Sequence, residues 1–88
     1  MKKVAWSEHG RFKLQLLARH GLVIEPESVE SIVKNSQQVE PGYKGRKIVQ
    51  GRLDESRVMR VVYEESATTM TIITLYPGKR ERYEKTKI

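Results

Sequence analysis

Cysteine is absent from this 88-residue chain, and histidine occurs only twice, as His9 and His20. Without cysteine there is no disulfide framework and no thiolate zinc site. The histidines lie eleven residues apart in a segment with helical periodicity, about 16 Å along a helix axis, so they cannot ligate one ion. No protein-built metal site and no cofactor are expected. Long apolar runs are missing as well: no window approaches the roughly 18 residues that a membrane span needs, so a membrane is not an expected partner. The opening MKKVAWSEHG has two lysines but no apolar stretch behind them, so a secretory signal is not expected and the cytoplasm is the expected location. Repeats, low-complexity tracts and Pro- or Ser-rich linkers do not occur either, and the length suits a single domain over residues 1–88.

What the chain does have is charge, unevenly placed. Charged residues make up 32% of it and hydrophobic ones 38%, with a formal net charge of +6. Acidic side chains gather in residues 22–42, as Glu25, Glu27, Glu30 and Glu40, whereas Lys and Arg dominate both ends and residues 43–60. Such asymmetry favours a basic face, and a basic face points to phosphates. The competing reading is a charged surface that serves solubility alone.

The periodicity changes once along the chain. Residues 2–6, KKVAW, read as a first strand or extended lead-in that Ser7 ends by capping a helix. From Glu8 the spacing of Phe12, Leu16 and Leu17 predicts a helix that Gly21 stops. Pro26 opens a second helix, with Val29, Ile32 and Val33 as its apolar stripe and Asn35 and Ser36 at its end. Beyond Pro41 and Gly42 come three β-rich runs, residues 46–53, 57–64 and 69–76, separated by hairpin distances. The expected fold is α+β: two N-terminal helices packed on one face of an antiparallel meander of three to four strands, with the other face at least partly open.

Several side chains are candidates for function. Arg60 lies inside the second β-run between Met59 and Val61; a cation there must reach solvent across an open sheet face or find a buried partner. It either snorkels or pairs with Glu64, or it binds phosphate, and it is expected opposite Thr74 on the Tyr76 side of the sheet. In TLYPGKRERYEK, residues 74–85, Lys79, Arg80 and Arg82 interleave with Tyr76 and Tyr83, the combination of cations and flat rings that single-stranded nucleic acid asks for. Lys44, Arg46 and Lys47 form a second basic cluster, GYKGRK, whose glycines let backbone amides approach a phosphate; it lacks the Lys-Ser/Thr ending of a P-loop. His9 falls in the first turn of the first helix, where the dipole disfavours the imidazolium and leaves a base suited to metal-free RNA cleavage. A surface or packing role competes with that one, and His20, in the last turn, suits a capping role.

Taken in order, HG at the first helix start, RHGL at its end, GRK before the meander, RVMRVVYEE and TLYPGKRERYE resemble a widespread family of small bacterial and archaeal domains of unknown function. More distantly, they resemble the BrnT and RelE toxins of toxin–antitoxin systems. The resemblance covers nearly the whole chain, and Gly10 stands where the family pattern commonly has Ala. It implies a compact α+β fold with an antiparallel sheet and, for the toxin relatives, a metal-independent endoribonuclease activity, with His9 at the histidine that opens the first helix, Arg60 at the arginine within the strand, and Arg80, Arg82 and Tyr83 in the basic-aromatic closing motif. His9, Arg60, Arg82 and Tyr83 are the catalytic candidates. Two readings follow. In the first the protein is a toxin-like ribonuclease or RNA-binding domain, acting on RNA, including ribosome-associated mRNA, and held by an acidic antitoxin-like protein. In the second it is a non-catalytic module, a nucleic-acid adaptor or a binder of an acidic protein.

Overall fold

The apolar-ended first segment does form a strand, β1 (Lys3–Trp6), and Ser7 caps the helix behind it, as the computed structural model shows for residues 2–36 and 38–83. Helices α1 (Glu8–Arg19) and α2 (Pro26–Asn35) are followed by β2 (Glu40–Pro41), β3 (Lys47–Arg52), β4 (Arg57–Glu65), β5 (Thr69–Lys79) and a one-turn helix, α3 (Arg80–Tyr83). The architecture is α+β around a mixed sheet of order β1-β5-β4-β3-β2. Among the described residues that sheet has five strands rather than three or four. The meander β3-β4-β5 is antiparallel as its loop lengths predict, but β1 adds to β5 in parallel, Lys3 beside Thr69 through Trp6 beside Ile72, and β2 pairs two residues with β3. A pairing across more than sixty residues leaves no local signal, and two residues show no period.

The helix ends follow sequence chemistry. Ser7 Oγ accepts the Gly10 N–H at 2.9 Å. At the other end Gly21 takes a left-handed φ of 90°, its N–H bonds Ala18 O, and Leu22 N–H bonds Leu17 O. This is the paired-bond arrangement with which helices often close around a glycine. Pro26 occupies the first turn of α2, whose Val29 and Val33 are buried. They meet Val49, Met59, Val61, Tyr63, Ile72 and Leu75 in one core between the helices and the sheet. Burial pushes the Tyr63 phenol above its ordinary pKa.

One irregularity in β5 sets which side chains enter that core. Tyr63 pairs with Ile72 but Val62 pairs with Thr74, so Ile73 is an extra residue, a β-bulge. An unbroken ladder continued from Tyr63 and Ile72 would set Arg60 opposite Leu75 and turn Leu75 away from the helices. The bulge turns Leu75 inward and places Arg60 opposite Tyr76, not Thr74, which pairs with Val62. At the start of α1, Ser7 N–H continues the β1–β5 ladder by donating to Ile72 O at 2.9 Å, and Ser7 Oγ donates to the carbonyl of the extra residue, Ile73 O, at 3.2 Å.

Gly10 allows this close approach. It is buried, and a Cβ added to it would lie 2.8 Å from the Ile72 carbonyl oxygen, a backbone atom that cannot step aside. Glycine costs a helix interior roughly 0.5–1 kcal/mol relative to alanine, so a Gly10→Ala change would gain on propensity. Overpacking typically costs about 1–3 kcal/mol and outweighs that gain here. Gly10→Ala is expected to lower the urea midpoint without changing the slope of the unfolding curve; an equal or raised midpoint would show that α1 is not seated this tightly.

Candidate nucleic-acid interface

Side chains alternate across β4, so with Met59, Val61 and Tyr63 facing the helices, Arg60 faces the other way. It is the middle member of a row across three strands, with Gln50 on β3 and Tyr76 on β5 directly opposite it. Its Nη1 donates to Gln50 Oε1 at 2.7 Å and to Glu40 Oε2 at 3.0 Å, Nη2 donates to Glu40 Oε1 at 3.3 Å, and Nε reaches Tyr76 Oη at a long 3.4 Å. The guanidinium carbon stands 4.3 Å from the centroid of the Tyr83 ring. This is a two-pronged grip on a carboxylate by a cation stacked on an aromatic face.

The stacking partner is brought in by α3. A Cβ on Gly78 would lie 2.4 Å from the Tyr83 ring, so the ring occupies space that only a glycine in β5 leaves open. Gln50 Nε2 also donates to the Tyr83 carbonyl, at 3.4 Å. The sheet face away from α1 and α2 is therefore partly covered, and Arg60 is only 6% exposed. Burial by itself would lower its pKa, but the hydrogen bonds to Glu40 and Tyr76 prevail and the guanidinium stays above its ordinary value. The Arg60 side chain is 7% exposed while that of its partner Glu40 is 56% exposed, so solvent reaches the pair from the carboxylate side.

Other candidates surround this centre unequally. The Arg82 guanidinium lies 5.8 Å from the Tyr83 centroid on the exposed outer side of α3, and Lys79 is exposed at the end of β5. Arg80 donates its Nη1 to Glu55 O at 2.7 Å and its backbone N–H to Ser56 O, which fixes α3 against the β3–β4 turn. Glu84 and Lys85, which complete the TLYPGKRERYEK string, lie outside the described residues. His9 is not brought to the cluster. It is exposed on α1, on the helix side of the sheet, with its ring centroid 6.4 Å from that of Phe12.

The GYKGRK segment forms a tight turn at the β2 end of the sheet. Gly42 N–H donates to Arg46 O at 2.7 Å and Arg46 N–H to Tyr43 O at 3.2 Å. Lys44 holds left-handed backbone angles, φ 59° and ψ 38°, which cost a residue with a Cβ about 1–2 kcal/mol. Lys44 is exposed, whereas Arg46 pairs with Glu64 at 3.1 Å and Lys47 with Glu65, which Lys2 also binds at 2.6 Å. Glu64 is therefore the partner of Arg46, and Glu40 takes the place beside Arg60 in which Glu64 is expected.

Comparison with protein families, with curated proteins and with solved structures found no match. What the cluster does must be read from its own chemistry. Among the described residues no group of three or more His, Cys, Asp or Glu side chains is placed to hold a metal. Nor is any helix among them long and apolar enough to cross a membrane. Two members of the cluster, Glu40 and Gln50, are not evident from sequence. Glu40 sits in an acidic segment beside a turn proline, and Gln50 in a β-run otherwise noted for its apolar residues; only the strand register brings both to Arg60.

The two lysines hold the Glu65 carboxyl down to about 2, chiefly through the Lys2 and Lys47 hydrogen bonds. A carboxyl depressed on folding contributes stability that is complete above its ordinary range and disappears as pH falls through the folded value. Carbon-detected NMR titration of the Glu65 carboxyl should find a midpoint near 2 in the wild type and a higher one in Lys47→Ala. An unshifted midpoint in the variant would mean that Lys47 is not committed to Glu65 in solution.

Proposed function

We propose that this domain engages single-stranded RNA on the sheet face opposite its two main helices and cleaves it without a metal, as the toxin half of a toxin–antitoxin pair does. The observation that carries the reading is Arg60: a cation fixed by a strand interior, stacked on Tyr83 and gripping a carboxylate in the two-pronged manner that also fits a phosphodiester. The cations Lys79, Arg80 and Arg82 lie at the end of β5 and on α3, the helix that carries Tyr83, and Tyr76 lies directly across the ladder from Arg60. The BrnT- or RelE-like part of this reading rests on the sequence resemblance, and a cytoplasmic location goes with action on cellular RNA.

In this reading a phosphate of the strand exchanges with the half-exposed Glu40 carboxylate in front of Arg60. The released Glu40 then takes the proton of the 2′-OH as that oxygen attacks its own phosphate, and the Tyr83 hydroxyl gives a proton to the departing 5′-oxygen as the P–O5′ bond breaks, leaving a 2′,3′-cyclic phosphate. Arg60 and Arg82 stabilise the charge that develops. His9, across the sheet, has no part in the step and belongs to the surface of α1. An acidic antitoxin-like protein would cover the same cations that meet RNA.

The closure of the Arg60 cluster supports a second reading. Glu40, Gln50 and Tyr76 accept bonds from four of the five guanidinium N–H donors, as befits a structural cation in a module that binds nucleic acid or an acidic protein and performs no chemistry.

Cleavage and binding measured together separate the two. About four phosphate contacts should give a log-log salt slope near −3 for single-stranded RNA, flattened by joint replacement of Arg80 and Arg82 with Ala. Cleavage, free or on translating ribosomes, should survive EDTA and fall by about two to three orders of magnitude in folded Arg60→Ala or Arg82→Ala protein. Binding with no cleavage by the wild type in either setting would establish the non-catalytic module. Absence of RNA binding at low salt would leave the acidic protein partner.

A further inference from the structure

Among the described residues Tyr43 is the most exposed of the large hydrophobic side chains, at 80%, yet it stands on a turn closed by backbone hydrogen bonds. The Gly42–Arg46 and Arg46–Tyr43 backbone bonds close the turn, and Lys44 adopts a left-handed conformation within it. Residues held in such sparsely populated conformations cluster at functional sites. The turn carries the Lys44 ammonium to 5.5 Å from the Tyr43 ring centroid. Beside it lies a depression of about 350 Å³, lined among others by Val39, Pro41, Arg46 and Lys47. Glu40 lines it too and is at the same time the carboxylate on Arg60, so the depression and the Arg60 cluster share a wall.

We infer that Tyr43 is a base-stacking position and that the depression beside it is a subsite for one nucleotide flanking the one at Arg60. An aromatic ring held open to solvent on a rigid turn offers a nucleobase a platform at little cost in ordering, and every base has a face to lay on it. Lys44 puts a positive charge within a nucleotide's reach of that platform. The apolar atoms of Val39 and Pro41 supply contact for the base or sugar; Arg46 and Lys47, which also line the depression, are each held by a carboxylate, so the charge for the phosphate falls to Lys44. Because Glu40 separates the two places, one strand can run from the Tyr43 loop to Arg60 along β2. This deepens the RNA reading above and rests on it.

The test compares two probes in fluorescence anisotropy: a short labelled oligoadenylate and an abasic ribose-phosphate oligomer of the same length. Tyr43→Ala should weaken oligoadenylate binding about tenfold, the order expected for one lost base–aromatic stack. It should leave the abasic oligomer and the salt slope unchanged, and Tyr43→Trp should bind oligoadenylate at least as well as the wild type. Equal oligoadenylate affinity of Tyr43→Ala and wild type would overturn the inference while leaving the RNA reading intact. Equal weakening on both probes would also overturn it, since the ring would then act through the loop's shape rather than through a base. A wild type that binds neither probe at low salt would overturn both readings.

Discussion

The extra residue at Ile73 is the constraint on which the rest of the arrangement turns. It reverses the alternation of β5 halfway along, so that Ile72 and Leu75, three residues apart, both enter the core. In an uninterrupted strand one of them would face away from the helices. The same reversal puts Tyr76 beside Arg60, and the carbonyl of the extra residue accepts the Ser7 hydroxyl where α1 begins. Core, helix seat and candidate site thus depend on one bulge, and Gly10 and Gly78 are small where elements must approach the same strand: α1 on one face and Tyr83 on the other.

The second constraint is the cost of burying Arg60. A lone guanidinium in a strand interior would forfeit several kcal/mol of hydration. Here the loss is offset by a carboxylate, an amide oxygen, a phenol and a ring face, which come from β2, β3, β5 and α3 respectively. Because each comes from a different element, the cation ties the far edge of the sheet to its C-terminal helix. The carboxylate is the exposed partner, Gln50, Tyr76 and Tyr83 being half-buried, and so the one that a phosphate or an acidic side chain can replace without unfolding the others.

Much of the scaffold is legible in the sequence because it rests on local chemistry. Ser7, Gly21 and Pro26 mark helix ends by capping, left-handed backbone and fixed φ, and the stripe Val29, Ile32 and Val33 shows which side of α2 turns inward. The β3-β4-β5 meander follows from short loops, in which Asp54 accepts the Ser56 and Arg57 N–H groups and Ser66 those of Thr68 and Thr69. What escapes is non-local. The parallel joining of β1 to β5 and the bulge depend on contacts that appear only once the sheet exists. A run such as TMTIITLY carries no mark of which residue is extra. The site is legible to the same degree: Arg60, Tyr76 and Tyr83 can be nominated from residue type and do meet, whereas Glu40 and Gln50 join them only through register, and His9 is separated from them by the sheet.

The central claim is that the Arg60 face, and not the helix face, meets single-stranded RNA. Amide and arginine side-chain NMR spectra recorded while a short oligoribonucleotide is added to the intact protein address it most directly. The account predicts progressive shifts for the Arg60 Nε–Hε and the Gln50 side-chain amide, and for the backbone of Glu40, Tyr76 and Gly78, with α1 unchanged. Shifts confined to α1 around His9 and Phe12, with the Arg60 and Gln50 signals unmoved at saturation, would contradict it.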